Sequence, residues 1–143
     1  MSLNRFDETR KVIHETQVRN LDELALHNAL YGLAFLNSDS GAIATEQRWF
    51  AQDPAAENFG LSLDSDREAY IGRIDKAREM TKRAVDSAIP ADSKENGAIW
   101  LENAALREAA IGNPVEARSD AAAGLKLYPD SQGGRLKQRW PTP

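Results

Sequence analysis

The chain has two histidines, His14 and His27, the residue type that most often ligates a metal. A protein metal site needs three or four ligands with support around them. Only His27 has an acidic companion on its own helical face, Glu23, four residues earlier. His14 has Arg10 and Val18 one turn away on either side. Both histidines therefore read as structural or solvated. The densest acidic run is Asp64-Ser65-Asp66-Arg67-Glu68. It lacks the alternating oxygen ligands and glycine of a calcium loop, so it either lines a groove or, as expected here, forms an exposed turn of helix. Cysteine is absent, which excludes disulfides, thiolate metal sites and cysteine nucleophiles. Ser40-Gly41 and Gly133-Gly134 are not followed by the Lys-Ser/Thr pair of a phosphate-binding loop. No serine, histidine and aspartate set carries a local nucleophile signature. The expectation is a non-enzymatic chain with no catalytic residue, cofactor or metal.

The elements that would position these residues are helices. The chain has 143 residues, the size of one domain, with 18 Lys+Arg against 22 Asp+Glu and a net charge of -4. Nucleic-acid-binding modules usually carry a basic face, so this balance argues against one. No run approaches the ~18 apolar residues of a membrane span, so no membrane contact is expected. The charged start, MSLNRFDETRKV, lacks the apolar segment of a signal peptide. The cytoplasm is the expected location, unless a membrane-anchored parent chain carries the segment outside.

Alanine, leucine, glutamate, lysine and arginine dominate, and β-branched runs are missing. The pattern predicts seven helices near 5–19, 22–37, 41–52, 54–71, 74–88, 93–111 and 114–127. Asp22, Asp53 before Pro54, Asp92 with Glu95, and Asn113 before Pro114 with Glu116 are the expected N-terminal caps. Residues 4–130 then form one helical domain, and the Gly- and Pro-rich residues 131–143 a flexible tail.

The chain repeats itself. Asn4, Ser38, Gly72 and Gly112 align as starts of similar segments, spaced 34, 34 and 40 residues apart. Five residues on stand Thr9, Ile43, Ala77 and Ala117; nine on, Ile13, Gln47, Thr81 and Ala121; twelve on, Thr16, Phe50, Ala84 and Gly124. Steps of four and three place these on one helical face. In the last two copies that face is small, which lets helices approach closely. The six extra residues before Gly112 predict a longer helix ahead of it. Ala105 and Leu106 are expected to lie against Ala121.

Gly72, Ile74, Ala77 and Ala84, then Gly112, Ala117, Ala121 and Pro129, carry a resemblance to the tetratricopeptide repeat family, whose period is about 34 residues over two helices. Tyr31, Ser65 and Ala105 occupy the first-helix position where that family favours a small residue. The strings RFDETRKVIHETQVRNLDELALHNALYGLAFL and NAALREAAIGNPVEARSDAAAGLKL resemble the C-terminal helical repeats of bacterial, especially acidobacterial, eukaryotic-like serine/threonine kinases. Winged-helix regulators with such tails look similar too. The resemblance implies an all-α, right-handed α-solenoid of stacked antiparallel hairpins, about three and a half repeats. It implies a concave groove lined by Asn28, Gly32 and Phe35, by Phe59, Ser62 and Asp66, and by Glu102, Leu106 and Ala109. None of these nine is Lys or Arg, so the groove should favour a neutral or basic ligand.

Helix 5–19 aligns with second helices of the repeat, so a fragment of a larger signalling protein is expected. Trp49, Phe50 and Trp100 are expected to pack between repeats, while Trp140 lies in the tail beside Arg135, Lys137 and Arg139. The implied function is a protein-interaction scaffold with a protein or peptide partner. The alternatives are a homodimerising assembly region of the parent chain and the repeat tail of a winged-helix regulator.

Overall fold

The structure is a computed structural model that describes residues 23–130. Six helices follow one another: α1 Glu23–Leu36, α2 Ser40–Gln52, α3 Pro54–Tyr70, α4 Ile74–Ala88, α5 Lys94–Ala110 and α6 Pro114–Leu127. No strand occurs among the described residues. The expected helix 5–19, the Asp22 cap, His14 and the tail lie outside them.

Helix starts and stops are set by short-range chemistry. The Asp39 carboxylate accepts from the Ala42 N–H at 2.9 Å and caps α2. Asp53 accepts from the Ala55 N–H at 2.9 Å, and Pro54 opens α3. Ser38, Gly72, Asp92 and Gly112 all take positive φ, at 55, 82, 53 and 86°. After each, an N–H reaches back five residues: Asp39 to Ala34, Arg73 to Glu68, Ser93 to Ala88 and Asn113 to Glu108. This is the left-handed helix terminus that glycine favours. The positions aligned as repeat starts at 38, 72 and 112 are therefore the same turn in each copy.

Three local expectations are corrected. Asp92 is not a cap, because it occupies the left-handed turn position, and Ser93 stands at the start of α5 without a capping bond. Asn113 precedes Pro114 as expected, but its amide donates to Glu108 at 2.9 Å instead of capping α6. The six extra residues do not lengthen the first helix, since α3 and α5 both have 17 residues. Two of them extend α4 relative to α2, and four lie in the connection from Ile89 to Ser93.

Each helix packs on its neighbours in sequence, and α1 also touches α3 as α3 touches α5. The periodic face is the packed one. Ile43, Phe50, Ala77, Thr81, Ala84, Ala117 and Gly124 are buried, with Gln47 and Ala121 half-buried. A β-carbon at Gly124 would lie 3.2 Å from the Ala98 carbonyl oxygen, so α6 sits tightly on α5 as the small residues predict. Leu106, expected against Ala121, instead points to solvent at 71% exposure. Large apolar side chains concentrate early in the chain: Tyr31, Ala34, Ile43, Phe50 and Ala56 form the core cluster, flanked by Leu24, Phe35, Trp49, Phe59 and Leu63.

Candidate functional site

Three of the nine groove positions converge. Gly32 and Phe35 from α1 and Asp66 from α3 line a cleft of about 240 Å³ together with Tyr31, Leu63, Arg67 and Tyr70. Small-molecule sites run to ~300–1,000 Å³, so this cleft suits a single side chain better than a cofactor. The Phe35 and Tyr70 rings meet edge to face at 5.1 Å, and Tyr70 is 79% exposed. The other six positions lie elsewhere. Ser62 is buried, Phe59 packs edge to face on Trp100 at 5.4 Å, and Glu102 is half-buried on α5. Asn28, Leu106 and Ala109 are exposed.

None of the nine positions is Lys or Arg, but cations reach the cleft from other positions. Arg67 lines the cleft. Arg107, from α5, donates to Asp66 at 3.1 Å and to Thr81 at 3.0 Å. An arginine stem is long enough to bring charge to a surface from a position outside it. The Arg107 Nε is buried without an acceptor, its two Nη groups being turned to Asp66 and Thr81. Partial burial raises the Asp66 pKa, and Arg107 opposes that rise.

The acidic run at 64–68 is not an exposed turn. Asp64 accepts from the Tyr31 hydroxyl and from the Gln47 amide, both at 2.6 Å. Ser65 is buried and donates to the Ala77 carbonyl at 2.8 Å or shares its proton with Thr81, also at 2.8 Å. Glu68 is buried and pairs with Arg73 at 3.3 Å. Only Asp66 of the five is exposed. Burial, and then the bond to Asp64, raise the Tyr31 pKa, which keeps the phenol a proton donor.

His27 turns to Glu46 rather than Glu23. Its Nδ1 lies 2.6 Å from Glu46 Oε2, and its ring stacks on Trp49 at 3.7 Å. Trp49 thus packs within its own hairpin. Trp100 does bridge hairpins, donating to Asn58 at 3.1 Å. Among the described residues no group of three or more acidic or histidine side chains is placed to hold a metal ion, and no helix is long and apolar enough to cross a membrane.

A second cluster joins α4 to α5 and went unread in the sequence. Glu108, 1% exposed, accepts from Arg78 Nε at 2.8 Å and Nη2 at 2.9 Å, and from Asn113. The Arg78 bonds hold the Glu108 pKa below its ordinary value of 4.5 against the opposing effect of burial. Burial and then the Glu108 charge raise the pKa of nearby Asp120. One signal was available: Arg67-Glu68-Ala69 and Ile71-Gly72 recur as Arg107-Glu108-Ala109 and Ile111-Gly112. In both copies the residue after the glycine, Arg73 or Asn113, bonds to the buried glutamate.

No family model, no curated protein and no solved structure matches the chain.

Proposed function

We propose that this chain is a non-catalytic interaction scaffold, a right-handed tetratricopeptide-like stack whose inner face holds an extended segment of protein. The observation that carries the reading is the aromatic-lined cleft between α1 and α3, open to solvent and rimmed by Asp66. Support also comes from the repeated turn at Ser38, Gly72 and Gly112, and from contacts linking α1 to α3 and α3 to α5. Hairpins of this kind bury their apolar faces against each other, which leaves one long face available for binding. The chain belongs, in this reading, to a larger signalling protein such as a serine/threonine kinase. An unbiased peptide array should return neutral or basic peptides with an aromatic anchor, and Phe35→Ala with Tyr70→Ala should abolish that binding. Recovery of mainly acidic C-terminal peptides would overturn the reading.

A homodimerising role is the second reading. It is favoured by the exposure of Leu106, Ile111 and Val115 around the third hairpin. Sedimentation over a concentration series separates the two, because this role requires a tight dimer weakened by Leu106→Asp.

A further inference from the structure

We propose that the hollow where α4, α5 and α6 meet binds a primary alkylammonium on an unbranched chain, with the ammonium on Asp120 and the stem along Val85, Leu101 and Ala123. The α1–α3 cleft takes no part in it. The hollow holds about 300 Å³, the lower end of the range for small-molecule sites. Asp120 lines it, half-buried, with no hydrogen bond or ion pair to any described residue. The cations along the same wall are already engaged: Arg78 by Glu108 and Asp75, Lys82 by Asp86, and Arg107 by Asp66. Glu108 and Glu116 add negative potential around Asp120. Asp120 is therefore the charge in the hollow left without a counter-ion, and burial raises its pKa. A bound cation would offset that cost.

Internal repetition shows what shape of group belongs there. A smaller hollow of about 160 Å³ lies one repeat earlier, among α2, α3 and α4. The repeat register carries Gln47 to Thr81, Leu61 to Leu101, Asp64 to Ala104 and Met80 to Asp120. In the earlier copy the Gln47 amide donates to Asp64 at 2.6 Å, and the unbranched Met80 side chain, 6% exposed, lines the hollow. In the later copy Thr81, Ala104 and Asp120 are each shorter than their counterparts, so the volume is not filled from within. Another flexible, unbranched chain restores what Met80 supplies, and Asp120 selects one that ends in a cation. The lysine side chain is such a group, an apolar stem with a compact ammonium. Butylammonium is its free form.

The test titrates the isotope-labelled full chain with n-butylamine hydrochloride at pH 7 and follows backbone amide shifts by NMR. The neutral 1-butanol and a capped pentapeptide with one central lysine are run beside it. The expected result is saturable shifts clustered at Leu101, Ala104 and Ala123 with the amine, and binding of 1-butanol about tenfold weaker or less. Asp120→Asn should weaken amine binding by about tenfold or more. Asp120→Met, which copies the earlier hollow, should abolish it, and either variant serves if the other does not fold. Tighter binding of the peptide than of butylamine makes the natural ligand a lysine of a protein segment; otherwise it is a free amine. Both outcomes keep the site. No saturation by either amine, shifts away from the hollow, equal binding of 1-butanol, or unchanged affinity in the Asp120 variants overturns the inference.

Discussion

The joint between the first two hairpins and the joint between the last two do the same job with different materials. At the first, Phe50 of α2 lies against Gly60 of α3, and Tyr31, Ile43 and Ala56 complete a large apolar cluster. At the second, alanines at 77, 84, 88, 98 and 104 bring the helices together, and Arg78, Glu108, Arg107, Asp66 and Thr81 tie them. Apolar volume dominates the first joint, to which Asp64 adds bonds from Tyr31 and Gln47, and charged pairs dominate the second. Small residues bury little area each, so close helix packing there leaves specificity to the charged groups. The second joint, where the ion pairs Arg78–Glu108 and Arg107–Asp66 cross between hairpins, should be the more sensitive to salt.

The largest expected effect breaks the apolar joint. Phe50→Ala empties a site only 1% exposed and should cost about 3–5 kcal/mol in urea denaturation. Gly60→Ala should cost about 1–3 kcal/mol by overpacking, since its β-carbon would fall 2.5 Å from that of Phe50. The double variant should lose clearly less than the sum of the two, because removing the ring makes room for the added methyl. Strict additivity would mean that Phe50 and Gly60 do not meet.

Next comes the polar joint. Glu108→Gln should cost about 1–2 kcal/mol at pH 7, toward the lower end for a charge-assisted bond because Arg78 is half exposed to solvent. The sign of its pH dependence follows from the lowered folded pKa. The ionised group stabilises the fold fully above its unfolded value near 4.5, and that contribution is lost as pH falls through the lower folded value. Parent and variant should therefore differ at pH 7 and converge in acid. A constant difference from pH 7 to pH 3 would place the effect of Glu108 in packing rather than charge.

The smallest expected effect concerns the turns. Ser38 and Asp92 hold the left-handed conformation that Gly72 and Gly112 adopt without a Cβ penalty. Ser38→Gly should gain up to about 1 kcal/mol, strain relief being offset in part by glycine's freedom in the unfolded chain. Gly112→Ala, measured the same way, should lose about 1–2 kcal/mol. A loss in Ser38→Gly would show that the serine side chain contributes more than its backbone strain costs.

How much could be read beforehand divides by range. Helix boundaries at Pro54, Ile74 and Pro114 were legible because proline, glycine and aspartate act on their own few residues. The buried stripe through Ala77, Ala84, Ala117 and Gly124 was legible because helical periodicity is local too. The partners of His27, Asp64 and Glu68 were not, because nearest charges in sequence are seldom nearest once helices pack. His27 passed over Glu23 for Glu46 on the facing helix. The cleft was half legible: Gly32, Phe35 and Asp66 were named, while Tyr31, Leu63, Arg67 and Tyr70 were not. The repeat alignment gave Tyr31 a packing position on the first helix and gave Leu63, Arg67 and Tyr70 no groove role.

The sequence by itself determined the all-helical class, the places where helices start and stop, and which helical face is small enough to pack. Each depends on torsional preferences and periodicity within about one turn of chain. Tertiary structure decided which charges meet, that the 64–68 run turns inward, and that three scattered groove positions close into one cleft. Those outcomes depend on the rotation and offset of one helix against another, quantities that no single helix encodes.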